Sequence, residues 1–170
     1  NSARLANANV SGSFSNHRKF QSKKPHAIAK TFHTYYEWQT EFGGFRERMT
    51  ATHAGVGQEP RAAFDALYKS MKCVFGFGGG RLGRFDLLTM LGKLQLAPIA
   101  PGSVYLDKAT GPLAGARLLY FGDRDHGITG NALEPRVDAL DDILGVGKQV
   151  IEDSLCNWQK SPDAYVYFRG

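Results

Sequence analysis

A mostly α fold, one helical domain with few short strands, is what this chain predicts, and three observations predict it. Apolar residues recur at helical spacing in about six separate runs, glycine or proline closes most of them, and strictly alternating runs are scarce. At 170 residues with 42% apolar content, one domain with a sizeable core is expected.

Residues 1–25 are rich in Asn, Ser, Lys and Gly, with Phe14 and Phe20 as apolar anchors, and read as a flexible basic arm. A helical domain is expected over 26–170. Ile28, Phe32, Tyr35, Tyr36 and Phe42 space out a first helix that Gly43-Gly44 stops. "EPRAAFDALYKSM" sets Pro60 at a helix start, with Phe64, Leu67, Tyr68 and Met71 along one stripe. "RFDLLTMLGKLQL" is expected to turn Leu87, Leu91 and Leu94 inward. "GPLAGARLLYFG" and "NALEPRVDALDDILGVG" add two helices, the second striped by Leu133, Val137, Leu140 and Leu144. A last helix buries Ile151, Leu155 and Trp158, and Ser161-Pro162 ends it. "VFGF", "SVYL" and "AYVYF" are the candidate strands.

Composition narrows the function classes. No run approaches the roughly 18–20 apolar residues of a membrane span, and the N-terminus lacks the apolar core of a secretory leader. Two cysteines, Cys73 and Cys156, fit a reducing cytoplasm. The five histidines fall in no zinc-ligand spacing, so neither a metal nor a cofactor is expected. Basic charge is concentrated early: residues 1–30 hold six Lys/Arg and no acid, whereas 121–170 hold five against nine acids. Such an end attracts polyanions or simply keeps a tail soluble.

Glycine turns supply the next signal. Gly78, Gly80 and Gly83 satisfy G-x-G-x-x-G, yet no second βαβ unit follows and no acid stands where a ribose would need one. The same turn suits a phosphate held by the amide of Gly80 beside Arg81 and Arg84, or a close helix crossing. "ATGPLAGARLLYFG", with Arg117, has the hairpin-into-helix form of helix–hairpin–helix DNA-binding units. "LGVGKQVIED", with Lys148, repeats it.

The runs "GRLGRFDLLTMLGKLQLAPIAPGSVYLDKATGPLAGARLL" and "VIEDSLCNWQKSPD" resemble the alpha-glutamyl/putrescinyl thymine pyrophosphorylase-like proteins. These are a branch of the helix–hairpin–helix DNA glycosylase superfamily. The resemblance covers about residues 26–168. It implies action on hypermodified bases of phage-type DNA, some members being biosynthetic and others excising. A lone domain looks more like an excising glycosylase in antiviral defence, acting on double-stranded DNA with a bulky base such as glucosylated hydroxymethylcytosine. A pyrophosphorylase or transferase on the same DNA is the alternative, and a non-catalytic DNA-binding domain is a third.

N-glycosidic cleavage needs a carboxylate beside the sugar, and a lyase adds an amine. At about 100° per residue Asp153, Asn157 and Lys160 share one face of the last helix. They offer a carboxylate, a reading amide and a cation, or else an ordinary polar ladder. Glu152 is the reserve. Asp86 competes from a helix start, followed by Asp125 and Asp123 in "FGDRDHG" and then Asp138. Tyr105 and Trp38 are the candidates to stack on an extruded base.

Overall fold

A computed structural model describes residues 25–76 and 81–164. Its described residues hold seven α-helices, one 3-10 turn and no strand. They fall into two compact units that divide between Ala100 and Pro101. Among them no helix is long and apolar enough to cross a membrane.

The first unit contains α1 (Pro25–Thr40), α2 (Phe45–Gly55), α3 (Pro60–Ser70) and α4 (Arg81–Lys93), with a 3-10 turn at Met71–Cys73. Pro60 opens α3, and the Glu59 carboxylate accepts the Ala62 N–H as its cap. The predicted stripe of α3 is fully realised, with Phe64, Leu67, Tyr68 and Met71 all buried. Phe64 meets Phe85 of α4 edge to face at 6.0 Å. Burying each such ring or leucine contributes about 1.5–3 kcal/mol over leaving it exposed.

Helix α4 turns differently from the expectation. Phe85, Leu88 and Thr89 are buried, Leu87 and Leu91 are only half-buried, and Leu94 is 63% exposed beyond the helix end. The close return of the chain accounts for this register. A Cβ on Gly92 would stand 2.2 Å from the Ile99 carbonyl oxygen, so residue 99 lies against the helix backbone there.

Helix α2 was absent from the sequence expectation. Its buried residues are Arg48, Met49 and His53, so no apolar stripe announces it. Arg48 is held by the Glu41 carboxylate, and its guanidinium carbon lies 4.4 Å from the Trp38 ring centroid and 4.6 Å from that of Phe42.

The second unit contains α5 (Gly111–Phe121), α6 (Gly130–Leu144) and α7 (Lys148–Trp158). Its core joins Val104, Leu106, Ala116, Leu133, Val137, Ile151 and Leu155. Thr129 caps α6 by accepting the Ala132 N–H, and Gly122 and Gly145 end α5 and α6 in the left-handed conformation that glycine adopts readily. Two expectations are corrected here. Trp158 is 39% exposed, because the helix ends at it and Gln159 takes the buried place. Leu144, the last residue of α6, is also exposed.

The candidate strands fare likewise. "SVYL" is an irregular loop in which Tyr105 has φ +51°, which no strand tolerates. Val74–Gly76 of "VFGF" form turns, while Phe77 and most of "AYVYF" lie outside the described residues. Cys73 and Cys156 form no disulfide.

Candidate functional site

The α6–α7 hairpin is built around two side chains. The Asp141 carboxylate accepts the Gly147 N–H at 2.6 Å, and its carbonyl accepts the Gly145 N–H at 2.7 Å, pinning the turn at both glycines. Lys148, 4% exposed, runs inward from the first position of α7 and donates from Nζ to the Asp138 carbonyl at 2.6 Å. The ammonium also stands 3.5 Å from Asp141 Oδ2 and 3.9 Å from both Asp138 Oδ1 and Asp142 Oδ1. A cation so enclosed sets the local charge balance of the hairpin.

One turn further back on α6, Glu134 and Asp138 lie at i and i+4 on the same face. Both hold the loop that precedes α5. Glu134 accepts the Ser103 hydroxyl through Oε1 and the Leu106 N–H through Oε2 at 2.7 Å. Asp138 Oδ1 accepts the Val104 N–H at 3.2 Å. Ser103 Oγ in turn accepts the Tyr105 N–H at 3.1 Å. Tyr105 is thereby kept at φ +51°, and further along the same loop Lys108 has φ +58°, a strained backbone of the kind that concentrates at working sites.

Burial pushes the Asp138 carboxyl above the ordinary carboxylate value, and the neighbouring Glu134 adds to the rise. Hydrogen bonds from Ser103 and the Val104 N–H, and the Lys148 charge, oppose it. With 26% of its side chain still exposed, Asp138 is reachable by a substrate proton. Two carboxylates, one with raised basicity, beside a buried ammonium and a strained tyrosine can do proton-transfer chemistry.

The other sequence candidates are spread more widely. On α7 the Asn157 amide donates to the Asp153 carbonyl at 2.8 Å and accepts from Lys160 Nζ at 3.2 Å, so the three share a face as a polar ladder. Asp153 is half-buried and Glu152 is 2% exposed. In the first unit Asp86 is 8% exposed, and buried Arg84 donates to the Tyr68 carbonyl at 2.8 Å with its guanidinium 4.1 Å from that ring centroid. Gly80 and the side chain of Arg81 lie outside the described residues. Asp123 and Asp125 are exposed, Asp123 Oδ1 accepting the Asp125 N–H at 2.9 Å. Arg117 places Nε and Nη2 on the Ile128 carbonyl, at 3.0 and 2.7 Å. Trp38 is 3% exposed, donates its indole N–H to Ser70 Oγ at 3.0 Å and packs on Tyr35.

The two glycine turns of this unit do different things. In "ATGPLAGARLL" a Cβ on Gly111 would meet Cys156 Sγ at 2.6 Å, and one on Gly115 would meet the Leu155 carbonyl oxygen at 2.2 Å. Those glycines let α5 press against α7. Gly145 and Gly147, with nothing within 4 Å of a Cβ, face open space at the hairpin tip. Glu134 was not singled out from sequence. Its four-residue spacing from Asp138 on a helix opened by a threonine cap was the available signal.

Comparison with curated proteins, and with solved structures, found no match. Comparison with protein families did: the family described as amino acid:DNA transferase matches residues 1–165. With nearly its whole length matched, the chain belongs to the amino acid:DNA transferase family, whose description is of enzymes that act on DNA.

Proposed function

We propose that this protein joins an amino-bearing donor to an activated base in DNA, with Asp138 as the general base. The observation that carries the reading is the family match over residues 1–165. The excision reading placed first from sequence gives way to its transferase alternative, because a transferase and not a hydrolase is what the family is described as.

The chemistry suits the carboxylate cluster of the second unit. The donor's amine nitrogen attacks an exocyclic carbon of the base that bears a pyrophosphoryl ester. The C–N bond forms, the C–O bond breaks, and its electron pair leaves with pyrophosphate. The proton shed by nitrogen passes to the Asp138 carboxylate, which burial makes a stronger base than an ordinary carboxylate. Glu134 and Ser103 hold the loop so that Tyr105 lies beside this carboxylate's own anchor, and Tyr105 is the residue we assign to packing on the everted base. At the hairpin tip Gly145 and Gly147 leave the first turn of α7 with no side-chain cap, a suitable grip for a DNA phosphate. The substrate is then duplex DNA of the phage type with a modified pyrimidine.

The test is direct. DNA carrying 5-hydroxymethylpyrimidine pyrophosphate esters is incubated with the protein and a panel of amino donors, then digested to nucleosides for mass spectrometry. A nucleoside heavier by the donor and lighter by pyrophosphate is expected. Release of free base with alkali-labile strands would instead establish excision, and unchanged nucleosides across the panel would remove both.

A further inference from the structure

We propose that the first unit carries a second binding site, a pocket around His53 that takes a mononucleotide through its base and phosphate. The pocket has a volume of about 640 Å³, within the range of roughly 300–1,000 Å³ that small-molecule sites occupy. It lies wholly in the first unit and shares no residue with the carboxylate cluster of the second.

His53 is the observation that points to a ligand. It lines the pocket at 5% exposure, and neither ring nitrogen has a hydrogen-bond partner among the described residues. A buried imidazole left in this state is costly, and native structures rarely tolerate it without a reason. A neutral imidazole offers one donor and one acceptor. The edge of a nucleobase presents the complementary pair.

The helix that carries His53 supplies most of the remaining chemistry. Met49 and Phe45 lie one and two turns before it, and Thr50 and Arg46 follow the same spacing beside them. Phe45, Met49 and Tyr35 give an aromatic and polarisable wall, which suits a flat π-system. Burial raises the Tyr35 phenol above its ordinary value, so the hydroxyl stays a donor. Among the described residues of the lining, exposed Arg46 is the cation and no carboxylate joins it, so the expected ligand is anionic. A free amino acid fits worse, because its ammonium would find no counter-charge. An apolar peptide would leave His53 as it is.

Gln58 adds a second, independent sign. It borders the pocket at φ +65°, held there in part by its N–H donating to the His53 carbonyl at 3.0 Å. A non-glycine residue kept in this conformation places its amide where a glycine would place nothing. The site's existence stands on this geometry alone. Only the choice of a nucleotide rests on the DNA-transferase reading.

The ligand could be a free nucleotide or a nucleotide everted from DNA, and the experiment separates them. The full chain is titrated with thymidine monophosphate by calorimetry, and separately with a duplex whose modified pyrimidine neighbours 2-aminopurine. Leu96, 62% exposed on the pocket wall, is replaced in Leu96→Glu, which sets a carboxylate at the opening against the ligand's phosphate without disturbing the core. Gln58→Gly relieves the backbone and deletes the amide. Thymidine monophosphate is expected to bind wild type with at least tenfold loss in Leu96→Glu and several-fold loss in Gln58→Gly, at unchanged or higher melting temperature. A 2-aminopurine signal that thymidine monophosphate competes away, and that Leu96→Glu abolishes, identifies the everted base as the occupant and removes Tyr105 from that role. Nucleotide binding with a silent duplex identifies the free form. Failure of wild type to bind either probe, or equal binding by Leu96→Glu, overturns the site. Loss of transfer in Asp138→Asn with nucleotide binding intact would leave both proposals standing. Binding without transfer to any donor would sink the transferase reading alone.

Discussion

Lys148→Met is the substitution that most sharply separates two roles for one residue. As a phosphate contact, Lys148 would be dispensable for folding, and its loss would lower the salt dependence of DNA binding by about one phosphate's share. The structure gives it a different setting, with 4% exposure, a 2.6 Å bond to the Asp138 carbonyl and the Asp141 carboxylate at 3.5 Å. Methionine nearly matches its volume, so little cavity opens and the effect is electrostatic. Breaking a fully buried ion pair costs about 3–5 kcal/mol. Asp142 is 71% exposed and contributes little, while Asp141 keeps the Gly147 N–H, so a cost of about 2–4 kcal/mol follows. For a chain of this size that lowers the melting temperature by roughly 5–15 °C. Thermal and urea unfolding read the stability, and DNA titrations at several salt concentrations read the slope. A variant as stable as wild type with a shallower salt slope would refute the reasoning.

Other outcomes follow from the same geometry. Asp138→Asn is expected to lower transfer by about 10²–10⁴-fold, because the amide keeps the Val104 contact but cannot take a proton. Wild-type transfer should fall as pH drops through the folded-state pKa of Asp138, which lies above the ordinary 3.8. The stability sign is opposite: a raised carboxyl pKa means the folded state binds the proton more tightly, so stability is lost as pH rises from the unfolded to the folded pKa. Asp138→Asn should therefore gain stability relative to wild type above the folded pKa, and the gain should close toward pH 3.8, as pH-dependent melting will show. Gly115→Ala must push a Cβ against the Leu155 backbone at 2.2 Å, and should destabilise by about 1–3 kcal/mol despite the better helix propensity of alanine. Gly55→Ala, with nothing within 4 Å, should be neutral or stabilising in the same urea assay. Arg117→Met orphans the Ile128 carbonyl and should cost about 1–3 kcal/mol of stability. Equal DNA affinity in that variant would mark the arginine as a structural clamp.

Much of the helical layout was legible because apolar periodicity and helix punctuation agree. Phe64, Leu67, Tyr68 and Met71 on α3, and Leu133 and Val137 on α6, are buried where their spacing puts them. The failures have physical causes. Helix α2 buries an arginine and a histidine, so hydrophobic periodicity had nothing to report. Helix α4 offers two plausible stripes, and the approach of Ile99 to Gly92, invisible locally, chooses between them. "SVYL" alternates like a strand, but the Glu134 and Asp138 carboxylates take the Leu106 and Val104 N–H groups that a neighbouring strand would have used. The site was half visible: Asp138 stood last in the sequence ranking, and Glu134 was absent from it.

What distinguishes Asp138 from the aspartates ranked above it is the combination of burial, access and a fixed partner loop. Asp123 and Asp125 are exposed on one turn, where Asp123 Oδ1 accepts the Asp125 N–H, and no partner loop among the described residues folds over them. Asp153 belongs to a ladder whose amide rung rests on its backbone carbonyl. Asp138 is half-buried against a loop whose tyrosine is strained; that burial keeps it basic, with a lesser push from Glu134, and a buried ammonium lies near enough to keep its anion accessible. Residue type and helical spacing cannot reveal that balance, because it is made by a loop some thirty residues earlier in the chain, whose Val104 N–H lies 3.2 Å from the carboxylate. A carboxylate becomes a base through what folds onto it.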